Sequence, residues 1–255
     1  MKLVALQPIR HGGGTIAANQ PFMADPDTAQ RYLGAGVAAT EADYERRPWS
    51  GKGYWRVQPE WQGETVLIFG GGPSVSRGQA EAVGATIDRH RVIAVNNAVE
   101  LAPWADLLYF CDARWYEWHR ATVQAFEGVR VTLENLPLQK ELEVRCLRDY
   151  GVHGFAPKSD GVTNGRNGGY QALHLAAWLG VRRVLLLGFD MKPKGNRLHW
   201  HAEHPVATPP SVFAGWLEAF ATLAPHLKSR GVEVINCTPA SALTVFPYLP
   251  LEAAL

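Results

Sequence analysis

Three polar clusters, far apart along the chain, hold residue types that can grip an anion and move a proton. The first is Gly70-Gly71-Gly72-Pro73-Ser74, directly after the apolar run Val66–Phe69. Glycines allow positive φ and close backbone approach, and a following helix N-terminus attracts negative charge. Asn96 and Asn97 end the next apolar run, Val92–Val95, and Asp112 follows a third, Leu107–Phe110. Amides both donate and accept, so they suit ribose hydroxyls, a base edge or phosphate. An aspartate after a strand can bind Mg²⁺, contact a ribose hydroxyl or cap a helix. The second cluster is Thr163-Asn164-Gly-Arg-Asn167-Gly168, another polar glycine loop before a helix. The third is His199-Trp-His201-Ala-Glu-His204, in the loop after Gly188-Phe-Asp190. One histidine titrating near neutrality suits a general base on a hydroxyl. The same histidines beside Glu203 suit a metal, but no HExxH or helical spacing fixes a tetrahedral set. Turns, caps and solvated loops explain each cluster taken singly. Two glycine loops in one chain are harder to explain as turns alone.

The elements that must position these residues alternate. After Val66–Phe69 the pattern predicts a helix over 77–90, the strand Val92–Val95, the strand Leu107–Phe110 and an aromatic-rich helix over 113–126. It continues with the strand Val129–Leu133, a charged helix over 138–148, a helix Gly169–Leu179 and the strand Val184–Leu187. A long helix over 210–230, kinked or broken at Pro225, and the strand Val232–Ile235 complete it. Such alternation implies an α/β, Rossmann-like, mostly parallel sheet with helices on both faces. A parallel sheet gathers the carboxyl ends of its strands, so the clusters would share one crevice.

Residues 1–45 read as a small α+β segment that docks on a partner. It has a strand Lys2–Leu6, a turn at His11–Gly14, a return strand Thr15–Ala18, and a helix from Asp25 and Pro26 to Gly34 or Gly36. Residues 46–63 read as a Trp/Gly/Pro-rich connector whose Trp49, Trp55 and Trp61 pack on a neighbouring surface. Residues 64–255 form the nucleotide-binding unit. The 255 residues are 47% hydrophobic with a net charge of +1, so a sizeable core is available and no basic excess demands a nucleic-acid partner. Nucleic acid stays open as an acceptor. Three separated cysteines outside any CxxC pair, with no leader or membrane-length apolar run, imply a cytoplasmic chain with reduced thiols. A protein partner through residues 1–60 and a homo-oligomer also remain open.

The order and spacing of these blocks resemble the sialyltransferase superfamily and the related MptE-like proteins. VLIFGGGPS through VIAVNNA, residues 66–98, is similar to the long sialylmotif. TNGRNGGYQALHLAAWLGVRRVLLLGFD, residues 163–190, is similar to the short one, and His199–His204 falls where that superfamily keeps its base. The run from GGPS through LLGFD and HWHAEHP to INCTPASAL also resembles proteins common in bacteriophage and prophage genomes; the chain would then work in the bacterial host cytoplasm. The likeness spans about residues 65–247. It implies a glycosyltransferase that uses a nucleotide donor such as a CMP-sugar without metal. Gly72, Ser74, Asn97, Asn167 and Gly168 would contact the nucleotide, and His201 or His199 would be the base. The MptE-like branch implies a pyrophosphokinase with ATP and Mg²⁺, with Asp112 and Asp190 as candidate ligands. A non-catalytic nucleotide-binding accessory protein is the reading from another class. Gly71 departs from the family by standing where many sialyltransferases have asparagine.

Overall fold

The structure is a computed structural model that describes residues 1–5, 9–16, 20–46, 53–135, 137–138, 142–202, 205 and 209–255, without the side chains of 44–46. Contacts divide the chain into two units, Met1–Arg56 and Val57–Leu255.

In the first unit, β1 (Lys2–Ala5) is the centre of a three-stranded antiparallel sheet. A hairpin of β2 (Ile9–His11) and β3 (Gly14–Ile16) follows, then β4 (Pro21–Met23), α1 (Pro26–Gly34), β5 (Ala38–Thr40) and α2 (Glu41–Arg46). The expected return strand over Thr15–Ala18 is β3, paired with β2, and residues 17–19 lie outside the described residues. β4 and β5 were not foreseen; they flank β1. Asp25 caps α1 by accepting the Thr28 N–H at 3.0 Å, and Pro26 opens the helix where no N–H is needed. Leu3, Ala24, Ala29 and Ala38 form its small core. Trp55 is buried at 2% exposure, and Trp49 lies outside the described residues.

The second unit carries the parallel sheet. In chain order it holds β6 (Thr65–Phe69), α3 (Arg77–Gly84), β7 (Arg91–Val95), β8 (Leu107–Tyr109), α4 (Ala113–Ala125), β9 (Val129–Leu133) and β10 (Val144–Asp149). There follow β11 (Gly161–Val162), α5 (Gly168–Trp178), β12 (Arg183–Leu187), α6 (Val212–Ser229), β13 (Glu233–Asn236) and α7 (Leu251–Ala254). The eight strands lie in the order β11-β10-β9-β8-β7-β6-β12-β13, with every neighbouring pair parallel. This is the expected Rossmann-like α/β architecture. β6 to β10 step outward one way, and β12 then returns to the other side of β6. The reversal between β6 and β12 is the switch point at which such sheets open a crevice beyond their carboxyl ends.

Both faces of the central strands are buried, which explains their unbroken aliphatic runs. Val66, Leu67, Ile68 and Phe69 are all fully buried, as are Val184 to Leu187. Each such side chain contributes about 1.5–3 kcal/mol of burial. Leu67, Phe69, Val92 and Ala94 face the core beneath α3 and α4, while α5 packs on β6 and β7. At the amino ends, Arg91 Nε pairs with Glu64 at 2.8 Å and Nη1 with Asp106 at 3.1 Å. These half-exposed pairs fix strand register more than they stabilise.

The charged helix expected over 138–148 is not there. Val144–Asp149 is strand β10, with Val144, Cys146 and Leu147 buried between β9 and β11. Arg145 and Arg148, which made the segment look like a helix surface, reach Glu60 and Asp160, each at 3.7 Å. Residues 139–141 lie outside the described residues. Pro225 neither breaks α6 nor ends it, since the helix continues to Ser229. The helix expected to 90 stops at Gly84, and a 3₁₀ turn covers Ile87–Arg89. Trp61 is buried at 7% exposure, so it belongs to the unit's own packing rather than to an open surface.

Candidate functional site

Register places the glycine turn. Phe69 pairs with Leu187 at the end of the β6–β12 ladder, and the ladder runs on into the loops: Gly70 N–H donates to Leu187 O at 2.7 Å, and Gly72 N–H to Gly188 O at 2.8 Å. Pro73 has no N–H, and the Ser74 N–H goes to Asp190, so Gly71 keeps the turn's one N–H without a hydrogen bond among the described residues. Glycine is required here by close packing. A Cβ on Gly70 would lie 2.9 Å from Gly188 O, and one on Gly72 would overlap the Asp190 carboxylate.

These loops line a cavity of about 380 Å³ at the switch point. Gly70 to Pro73 form one wall, and Gly188 and Asp190 adjoin them. Asn96 and Asn97 come from the end of β7, Asp112 from the start of α4, and Asn167 and Gly168 from the start of α5. His199 and His201 complete the ring. Ser74, Thr163 and Asn164 are not in the lining. Thr163 is buried behind it, with Oγ1 donating to Gly154 O at 2.8 Å and lying 3.0 Å from His174 Nδ1. Asn164 donates to Asp149 at 2.7 Å and accepts the Arg166 N–H at 2.8 Å, shaping the loop from within. His204 lies outside the described residues.

The helix N-terminus that faces the cavity is that of α5. The helix after the glycine turn, α3, closes its own N-terminus with a Ser76–Gln79 capping box and lines no part of the cavity. In α5, Asn167 accepts the Tyr170 N–H at 3.0 Å, while Gly168 and Gly169 line the cavity with N–H groups that have no hydrogen bond among the described residues. A Cβ on Gly169 would meet the Phe189 ring at 2.6 Å, so glycine brings this helix end close to β12. Of the five non-glycine residues with positive φ among the described residues, three line the same cavity: Asn96 (52°), Arg166 (53°) and Met191 (50°). Strained backbone concentrates at sites where geometry is imposed by function.

Asn97 lines the cavity but its amide is engaged. Oδ1 accepts from Trp115 Nε1 at 2.7 Å, and Nδ2 donates to Glu100 at 2.9 Å and to His119 Nε2 at 3.4 Å. The amide thus ties the turn after β7 to α4, where His119 has non-helical dihedrals and stacks on Trp115. Asp112 is occupied too: Oδ1 caps α4 on the Arg114 N–H at 2.8 Å, and Oδ2 pairs with the Arg114 guanidinium at 3.4 Å. Asp190 is 5% exposed, and burial pushes its carboxyl above the ordinary aspartate range, against the pull of its hydrogen bonds to Ser74. Both carboxylates read as candidate magnesium ligands therefore line the cavity while engaged with protein groups, Asp112 with Arg114 and Asp190 with Ser74. Cys111 also lines the cavity; burial pushes its thiol up to about 12, so it is no thiolate at neutral pH.

The histidine loop is pinned over the glycine turn. Trp200 N–H donates to Gly71 O at 3.2 Å, and His199 Nδ1 lies 3.6 Å from where a Gly71 Cβ would stand. His199 and His201 stack at 5.0 Å and 10°. His201 Nδ1 lies 2.6 Å from Ala202 O. A carbonyl only accepts, so Nδ1 carries the proton and Nε2 the lone pair. Burial lowers the His201 pKa below the usual histidine value, favouring this neutral form.

Sequence reasoning singled out Arg166 as a charge partner but did not foresee the other cationic and aromatic lining residues. Arg114, Arg166 and Lys192 line the cavity, as do Trp118, Phe213 and Trp216. Trp118 is 38% exposed, and Phe213 and Trp216 meet edge to face at 5.3 Å. The crowding of aromatics in α4 was the visible signal; nothing marked the start of α6.

No family model matches the sequence, and no curated protein matches it significantly. Among solved structures, the MAf glycosyltransferase from Magnetospirillum magneticum AMB-1 is similar over 84% of this chain, with a TM-score of 0.56 and 17% sequence identity. The chain has a glycosyltransferase-like fold. It spans 37% of the length of that protein. BdcA in complex with NADPH aligns over 69% of this chain and 70% of its own at 17% identity, but its TM-score of 0.25 supports no inference. Among the described residues, no helix is long and apolar enough to cross a membrane.

Proposed function

We propose that this chain is a nucleotide-dependent glycosyltransferase of the sialyltransferase-like kind, moving a sugar from a CMP-sugar-like donor to an acceptor hydroxyl. The observation that carries the reading is the meeting of two glycine loops and a histidine loop at one switch-point cavity, with Trp200 N–H bonded to Gly71 O. The N–H groups of Gly71, Gly168 and Gly169 receive the donor's phosphate, aided by the α5 dipole and the nearby Arg166 and Lys192. His201 Nε2 takes the proton of the acceptor hydroxyl. The acceptor oxygen then bonds to the anomeric carbon, and the bond from that carbon to the phosphate oxygen breaks. The nucleotide leaves with the bonding pair. Fixed N–H dipoles aimed at the leaving phosphate supply several kcal/mol of such catalysis.

Melting measured with CMP, UDP, GDP and ATP at millimolar concentration tests the reading. The outcome expected is a rise of several degrees with CMP, reduced in Gly168→Ala, whose Cβ would stand 3.1 Å from Val95 Cγ1. No shift with any of the four would refute it. In the active enzyme, His201→Asn removes the base and lowers kcat by about 10²–10⁴-fold at unchanged donor affinity.

A further inference from the structure

Ser74 and Asp190 are 116 residues apart in sequence, yet they are joined beside the glycine turn. The Ser74 hydroxyl donates to Asp190 Oδ2 at 2.9 Å, and the Ser74 N–H reaches the same oxygen at 3.3 Å. Behind Asp190 stands the loop that follows β13. Thr238 Oγ1 accepts the Phe189 N–H at 2.9 Å, Ser241 Oγ donates to Phe189 O at 2.6 Å, and the Ala242 N–H donates to Asp190 O at 2.9 Å. That loop is itself fixed. Asn236 Oδ1 accepts the Thr238 N–H at 3.1 Å and Nδ2 donates to Leu243 O at 3.2 Å, with Asn236 and Thr238 buried at 2% and 1% exposure. The backbone that carries the carboxylate is therefore held from behind by backbone and hydroxyl groups, and in front the carboxylate holds the turn whose Gly71 lines the cavity.

We infer that Asp190 is a positioning residue. With Ser74 in front and Thr238 and Ser241 behind, it forms one brace that sets the glycine turn at the geometry an anion requires. The inference rests on the reading of the cavity as a nucleotide site. It gives Ser74 a role other than ligand contact, since both of its donors point at Asp190. Hydrogen bonds to a buried carboxylate are worth more than neutral surface ones, so their loss is felt at the turn they hold.

Two measurements on Ser74→Ala, with Ser74→Thr as the conservative rescue, test the brace. The first is hydrogen exchange of the unliganded protein. Segment 70–75 is expected to exchange about tenfold faster in Ser74→Ala, with β6 unchanged and Ser74→Thr like the wild type. The second is titration with CMP. Affinity is expected to fall about tenfold in Ser74→Ala and to recover to within about twofold in Ser74→Thr. Asp190→Asn in the Ser74→Ala background is expected to lower CMP affinity less than it does alone, because both changes break one link. Unchanged exchange in Ser74→Ala overturns the brace whatever the ligand does. Faster exchange with wild-type CMP affinity overturns its role in binding. If the wild type binds none of CMP, UDP, GDP and ATP, the functional reading fails, and the exchange result alone decides the brace.

Discussion

Lowering the pH should weaken this protein through one buried imidazole. His174 sits in α5 at 0% exposure, and burial lowers its pKa from 6.5 to about 3. Its neutral form is built into the fold. Both ring nitrogens face backbone donors: Nε2 lies 3.2 Å from the Ala156 N–H and Nδ1 3.3 Å from the Thr163 N–H, with Thr163 Oγ1 3.0 Å from Nδ1, so a second ring proton would meet a donor, and the ring ties the loop before β11 and Thr163 to the helix that ends at the cavity. The folded-state pKa lies below the unfolded one, so the contribution is complete above about 6.5 and declines as pH falls towards the folded value. Each pH unit between the two values removes about 1.4 kcal/mol, so at pH 5 the loss is about 2 kcal/mol. That is a large share of a typical net stability of about 5–15 kcal/mol. Urea unfolding at pH 7.5 and pH 5, on the wild type and on His174→Gln, measures it. Gln Oε1 can take the Ala156 N–H but does not titrate. Asp190, whose raised pKa acts in the opposite direction, is present in both proteins and cancels from the comparison. The variant should be less stable at pH 7.5, yet its loss on acidification should be smaller by about 2 kcal/mol. Parallel stability–pH curves would refute the reasoning.

Gly72→Ala should cost about 3 kcal/mol or prevent folding, because its Cβ meets the Asp190 carboxylate and, at 2.5 Å, Gly188 O. Gly78→Ala in α3, where nothing lies within 4 Å, should instead stabilise by about 0.5 kcal/mol; thermal melting of both separates close packing from helix propensity. Asn97→Ala should cost about 2–3 kcal/mol by leaving buried Trp115 Nε1 without an acceptor, and a denaturation midpoint equal to the wild type's would contradict that. If transfer activity is found, its acidic limb should fall below the ordinary histidine pKa, because burial lowers that of His201; a limb above 6.5 would remove His201 as the base.

The parts of the site that follow from local chemistry were legible in the sequence. Glycines after a buried strand, an asparagine opening α5 and histidines after a strand each carry their meaning within a few residues. Order along a parallel sheet then brings their loops to one edge. The errors came where distant partners decide. β10 carries arginines whose acidic mates are Glu60 and Asp160, so its charge concealed a buried alternation. Asn97 looked like an open amide until Trp115, 18 residues on, claimed its oxygen. Ser74 looked like a phosphate contact until Asp190 claimed its hydroxyl. Of the two helix N-termini read as anion sites, only that of α5 lines the cavity, and Gln79 closes that of α3.

β12 lies beside β6, and the loop after β13 fastens the end of β12. On the ribosome, Gly70 to Gly72 emerge long before the strand that completes their wall. A nascent chain stopped short of Thr238 would have a glycine turn, the paired amides and the histidines, but no seat to hold them. The cavity thus forms only once Thr238 has been made, and translation products that stop before it should neither sequester nucleotide nor react with it.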